Sequence, residues 1–185
     1  MGQPLMEKIK LLIVCIGLWI PTQGMTVPSD STELDKALAI ALQTDASINK
    51  FDIIQKVIFK TPIEEETQQF AKLGTSLIDA VYNENKIIKL TVQSEGESEI
   101  LVSEYYFREG QLYLVVKELS IYDKPFDQGG RMHQQKKFQY YLQNGKLQTC
   151  VYNNALNVDY SQSESNNKGD RLIQESMAYT ELASK

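Results

Sequence analysis

Tyr105-Tyr106-Phe107-Arg108-Glu109-Gly110-Gln111-Leu112 and Tyr140-Tyr141-Leu142-Gln143-Asn144-Gly145-Lys146-Leu147 are two copies of one pattern, and that pattern decides the fold. A degenerate third copy, Ala80-Val81-Tyr82-Asn83-Glu84-Asn85-Lys86-Ile87, precedes both. Each copy is an aromatic or apolar run, a two-residue gap, glycine or asparagine, any residue, then an aliphatic. A tight hairpin turn needs positive φ, which glycine and asparagine accept at least cost. Asn144-Gly145 is the strongest hairpin signal of the set, Glu109-Gly110 and Glu84-Asn85 are weaker versions, and Glu95-Gly96 adds a fourth turn.

The runs beside these turns alternate. Ile88, Leu90 and Val92 interleave with Lys89, Thr91 and Gln93. In regular strands Leu112, Leu114 and Val116 share a face, as do Phe138, Tyr140 and Leu142, and Leu147, Thr149 and Val151. Such alternation predicts a sheet with one buried and one wetter face. Six strands follow: Leu77–Asn83, Lys86–Gln93, Glu99–Arg108, Gln111–Tyr122, Lys136–Gln143 and Lys146–Asn153. Short links make them sequential antiparallel neighbours. One long connection, Asp123–Gln135, holds His133, the single histidine.

Helices are expected at both ends of this meander, giving the α+β class. Leu34, Ala37, Leu38, Ala41 and Leu42 recur at helical spacing, and Phe51, Ile54 and Ile58 continue a similar stripe. One helix, whole or broken near Thr44, is predicted from about Ser31 to about Val57, after a loose polar segment at 26–32. Asp30 and Glu33 have capping-box spacing. Thr61-Pro62-Ile63-Glu64 opens either an exposed helix ending near Gly74 or a loop. The polar stretch 161–169 reads as a flexible linker, and Asp170 caps a short C-terminal helix carrying Leu172, Ile173 and Met177.

The N-terminus reads as a secretory leader. Met6-Glu7-Lys8-Ile9-Lys10 is charged, Leu11–Ile20 is apolar, Pro21 breaks the run, and Thr22-Gln23-Gly24 supplies small residues for a cut. Met1 and Met6 are both candidate starts. Ten apolar residues are far fewer than the roughly 18 of a spanning helix. Val14 before Cys15 is not the small residue that lipidation needs. The reading is therefore a signal peptide at 1–24 and a single domain at 25–185, periplasmic or secreted, with no membrane span after cleavage. Cys150 is then the only thiol, in a strand-like run that suits a buried small hydrophobe.

Net charge is −5, and losing Glu7, Lys8 and Lys10 makes it one unit more negative. An acidic chain without a basic cluster gains little from phosphate backbones, so nucleic acid is excluded as a partner. Within the expected domain at 25–185, one histidine and one cysteine exclude a Cys₂His₂ site and leave Cys150–His133 as the only Cys–His pair. No P-loop, G-x-G-x-x-G or G-x-S-x-G is present, and no cofactor or metal is implied. The acidic run Glu64-Glu65-Glu66 and the pair Glu97 and Glu99 fit solvated faces.

The stretch Ile100–Asn153 resembles an uncharacterised family of small secreted or lipid-anchored bacterial proteins. In these a YYF-x-x-G-x-L hairpin, an apolar strand and a Y-x-x-P-F step lead into a second such hairpin. The matching residues are Tyr105–Leu112, Tyr122-Asp123-Lys124-Pro125-Phe126 and Tyr140–Leu147, with Leu142 in place of the usual phenylalanine. The resemblance implies the architecture and carries no activity. Ten tyrosines, among them Tyr105, Tyr106, Tyr113, Tyr122, Tyr140, Tyr141 and Tyr152 in the meander, suit a half-apolar recognition surface, although tyrosine also covers sheets without any ligand. The functional expectation is a non-catalytic binding module of the cell envelope, its partner an envelope protein or small ligand, using a face that carries Tyr105 and Tyr141. The alternatives are a structural or inhibitory partner of another envelope protein, or an enzyme without a recognisable signature. N-terminal sequencing of the exported product should begin at or near Met25; recovery of the full-length chain from the cytosol contradicts this reading.

Overall fold

The structure, a computed structural model, describes residues 29–58, 75–153, 155–156 and 162–184. The expected leader at 1–24 and the segment at 61–74 lie outside the described residues. The described chain is an α+β meander: helix α1 (Ser29–Ala46), strands β1 (Asp52–Ile58), β2 (Thr75–Asn83), β3 (Lys86–Glu95), β4 (Glu99–Arg108), β5 (Gln111–Tyr122), β6 (Met132–Gln143), β7 (Lys146–Tyr152) and β8 (Ala155–Leu156), then helix α2 (Gln162–Ser184). The strands pair antiparallel in strict chain order, β1 to β8.

The three repeats are three copies of one hairpin. Both central residues have positive φ in each: Glu84 and Asn85 (49° and 65°), Glu109 and Gly110 (54° and 79°), Asn144 and Gly145 (51° and 74°). That is the type I′ geometry whose twist matches the flanking strands. A second feature recurs with it. In β2–β3 the register steps from Val81↔Lys89 to Tyr82↔Ile87, in β4–β5 from Tyr106↔Leu114 to Phe107↔Leu112, and in β6–β7 from Tyr141↔Thr149 to Leu142↔Leu147. Each second strand thus carries one extra residue, Ile88, Tyr113 or Gln148, soon after the turn. A β-bulge of this kind shifts the face of everything beyond it. Leu112 and Leu147 therefore sit on one face, whereas Leu114, Val116, Thr149 and Val151 sit on the other. This corrects the expectation that Leu112 joins Leu114 and Val116, and that Leu147 joins Thr149 and Val151.

Both faces are covered. Under α2 lie Ile78, Ala80, Leu90, Val92, Tyr105, Val115, Tyr140 and Leu142, meeting Leu172, Tyr179 and Ala183 of the helix. Under α1 lie Tyr106, Leu114, Val116 and Val151, meeting Leu34, Ala37 and Ala41. The two helices are held unequally. Leu172 and Tyr179 are fully buried, and each such side chain contributes about 1.5–3 kcal/mol by burial. Helix α1 offers one leucine of that kind and two alanine methyls at about 0.8 kcal/mol each.

Three further expectations are corrected. The N-terminal helix ends at Ala46; after a 3₁₀ turn at Ile48–Lys50 the chain enters strand β1, so Phe51, Ile54 and Ile58 belong to no helical stripe. Four β-branched residues in the seven of Asp52–Ile58 outweigh that spacing. The stretch 162–169 is not a linker but the first two turns of a 23-residue α2. Its serines and asparagines are largely a solvated helix face, Ser165 Oγ donates to the Leu147 carbonyl at 3.2 Å, and Gly169 packs on the Leu147 backbone. Tertiary docking overrides weak propensity there. Finally, β6 begins at Met132, so the long connection shortens to Asp123–Arg131 and His133 stands on a strand. Among the described residues, no helix is long and apolar enough to cross a membrane.

A Cβ at Gly110 meets nothing within 4 Å, and one at Gly145 meets only Ile173 Cδ1 at 3.7 Å, so positive φ alone penalises a larger side chain. Valine at either position should lower stability by roughly 1–2 kcal/mol. Chemical denaturation checks this, and melting curves that match the parent for both variants contradict the hairpin geometry.

Candidate functional site

Tyr105 pairs with Val115 and Val115 with Tyr140, so these three share the α2 face; Tyr106 pairs with Leu114 and Leu114 with Tyr141, so these share the α1 face. Tyr105 and Tyr141 therefore lie on opposite sides of the sheet, and the expected common face does not exist. Adjacent residues in a strand always part company in this way. Tyr105 is also fully buried, its ring 6.0 Å from that of Tyr179, so it is a core residue. Tyr141 is half-buried and packs against the α1 cluster.

The reactive residues weighed from sequence do not meet either. Cys150 is buried and pairs with Tyr140, whereas exposed His133 stands seven residues earlier on β6, roughly 23 Å along the strand. Ser103 and Lys117 are direct cross-strand partners, a hydroxyl beside an amine. Both are buried, α2 covers them, and Lys117 Nζ donates to both oxygens of Glu175 at 2.9 and 3.1 Å. Among the described residues no three His, Cys, Asp or Glu side chains are grouped to hold a metal ion.

What the sequence reading missed is a polar cluster under α1. Lys89 on β3, with a side chain only 6% exposed, places Nζ 2.6 Å from Asp45 Oδ1 of α1 and 2.6 Å from Glu104 Oε1 of β4. The same ammonium lies 4.8 Å from the centroid of the Tyr106 ring. Tyr106 donates its hydroxyl to Asp45 Oδ2 at 2.9 Å, with Glu104 Oε2 at 3.3 Å. Burial, followed by the adjacent Glu104 and Asp45 carboxylates, pushes the Tyr106 phenol far above its ordinary value, so it stays a donor. The signal available in sequence was Lys89 itself, an ammonium interleaved among the apolar residues of β3. Asp45 sits in the last turn of α1, where the helix dipole disfavours a carboxylate, and Lys89 is the reason it is tolerated.

Beside this cluster a cleft of about 360 Å³ opens between α1 and the tips of the β4–β5 and β6–β7 hairpins. Glu33, Lys36 and Ala37 form the helix wall, and Arg108, Tyr113 and Tyr141 the sheet wall. The bulge puts Tyr113 there, with its ring 6.4 Å from that of Tyr106. Gln111, Gln143 and Asn144 complete the lining. Lys36 is paired with Glu33 at 2.6 Å, whereas Arg108 forms no ion pair among the described residues. A second cleft, of about 430 Å³, lies across the same hairpin tips on the α2 side, with Phe107, Leu112, Ile173 and Met177 in its walls. The first sets two tyrosine rings beside the Arg108 guanidinium; the second is more apolar.

Comparison with known proteins leaves the site to be read from its own geometry: no family model matches the chain, and no curated protein or solved structure is detectably similar.

Tyr113 offers a probe of the cleft. Burial first and the Asp45 charge second push its phenol up to about 12, with Arg108 acting the other way. Its folded-state value lies above the ordinary 10, so its share of stability is complete below pH 10 and is lost as pH rises through 12. Phenolate absorbance should show a component titrating near pH 12 that diminishes by one phenol in Tyr113→Phe. Loss of a phenol titrating near 10 instead, with the component near 12 retained, places Tyr113 in water.

Proposed function

We propose that the chain is a non-catalytic binding module of the bacterial cell envelope, and that its ligand seat is the cleft between α1 and the two hairpin tips. The observation that carries this reading is the combination of half-buried Tyr113 and Tyr141 with Arg108, which forms no ion pair among the described residues, in one small concavity. Tyrosine rings present flat, half-apolar faces at low entropic cost, a guanidinium donates to carboxylate or amide oxygens, and rim residues fix orientation. The ligand these groups suit is small and polar, with an oxygen acceptor and a flat or aliphatic side. The leader-like N-terminus supports the location, as does the resemblance of Ile100–Asn153 to small secreted or lipid-anchored bacterial proteins. Of the two tyrosines first expected to bind, Tyr141 keeps that role and Tyr105 gives it up to Tyr113.

The test is amide chemical-shift mapping of residues 25–185 with three soluble probes: a disaccharide-tetrapeptide muropeptide, chitotriose and trialanine. At least one should shift resonances at residues 33–40, 108–113 and 141–144. Tyr141→Ser should weaken that binding about tenfold or more, the scale of losing a buried aromatic contact. Shifts confined to other parts of the molecule, or no shifts at millimolar concentration, overturn the reading.

A further inference from the structure

We infer that α1 is a releasable wall, hinged at the 3₁₀ turn Ile48–Lys50 and latched by Asp45, and that α2 is a permanent part of the fold. The inference goes beyond the binding reading and stands whether or not the cleft takes a ligand.

The first argument is the duplication of carboxylates around Lys89. A buried ammonium stripped of its partner is strongly destabilising. Lys89 has two partners: Asp45 arrives with α1, whereas Glu104 belongs to the sheet itself and lies on the neighbouring strand. The Tyr106 hydroxyl has one proton and donates to Asp45 at 2.9 Å, with Glu104 standing by at 3.3 Å. When α1 leaves, both donors keep an acceptor on the sheet.

The second argument is charge. With α1 docked, Asp45, Glu104 and Lys89 sum to one excess negative charge, and the two carboxylates face one ammonium. With α1 released, Lys89 and Glu104 form a neutral pair. Docking therefore brings repulsion between Asp45 and Glu104 along with the new ion pair, and the closed state is poised rather than locked.

The third argument is the thinness of the apolar contact. Helix α1 buries Leu34, Ala37 and Ala41, with Leu38 partly covered, and turns Leu42 outward at 69% exposure. Helix α2 buries Leu172, Ser176, Tyr179 and Ala183, and its Glu175 clasps Lys117 with both oxygens. Since Glu33, Lys36 and Ala37 of α1 are one wall of the cleft, release of α1 opens it.

Native-state hydrogen exchange on the full chain tests this. Amides of α1 should exchange through a local opening at least tenfold faster than those of β4, β5 and α2. Asp45→Asn should speed α1 exchange about tenfold more, on the scale of a hydrogen bond to a charged group, and leave sheet and α2 protection in place. Glu104→Gln should do the opposite and slow α1 release, because Lys89 then depends on Asp45 alone. A merely structural cluster predicts loosening from both substitutions. Exchange of α1, sheet and α2 as one cooperative unit overturns the proposal, and so does faster α1 exchange in Glu104→Gln.

Discussion

Two consecutive residues at positive φ, followed by one extra residue in the next strand, fix which side chains of this sheet meet which helix. The device occurs three times, at Glu84-Asn85, Glu109-Gly110 and Asn144-Gly145. Each I′ turn sets the pairing of its two strands, and each bulge then shifts the alternation by one position. Without the bulge at Tyr113, Leu114 and Val116 fall on the same side as Leu112, and the α1 face loses its core. The division into two apolar faces, each with its own helix, depends on these steps.

Consequences run from register to electrostatics. Because β3 and β4 pair Lys89 with Tyr106, the ammonium lands over an aromatic ring and next to Glu104, two residues before that tyrosine. A cation so placed is satisfied within the sheet, and α1 adds its carboxylate as a supplement. On the other face Lys117 and Glu175 make a comparable buried pair, but there the carboxylate is part of a helix also held by Leu172 and Tyr179. The same physical motif, a buried lysine clasped by a helical carboxylate, thus joins the two helices to the sheet with different strengths.

The meander was legible in the sequence because its signals are local. Asn144-Gly145 and the alternating runs around it specify a hairpin within ten residues, and β4 and β5 keep their predicted ends, Glu99–Arg108 and Gln111–Tyr122. What escaped depends on partners distant in sequence. Strand β1 carries Ile53 and Ile54 exposed side by side, so it lacks the alternation that marks a half-buried strand. The first turns of α2 are helical because they dock on β7. The bulges were invisible because one inserted residue leaves composition and spacing unchanged while moving Leu112 and Leu147 to the opposite face. That one-residue step, together with the even–odd alternation, is why Tyr105 and Tyr141 looked like a pair. The cleft residue Arg108 lies within the first repeat and Tyr113 directly follows it, but only the fold brings them to Lys36 and Glu33.

The central claim is that these bulged hairpins send Tyr105 to the α2 core and Tyr141 to the α1 side. Nuclear Overhauser contacts from the two assigned tyrosine rings test it directly. The account predicts contacts from Tyr105 to the Tyr179 ring, whose centroid is 6.0 Å away, and from Tyr141 to the apolar side chains of the α1 cluster. Contacts from Tyr105 to Ala37 or Leu34, or from Tyr141 to Leu172 or Tyr179, contradict it.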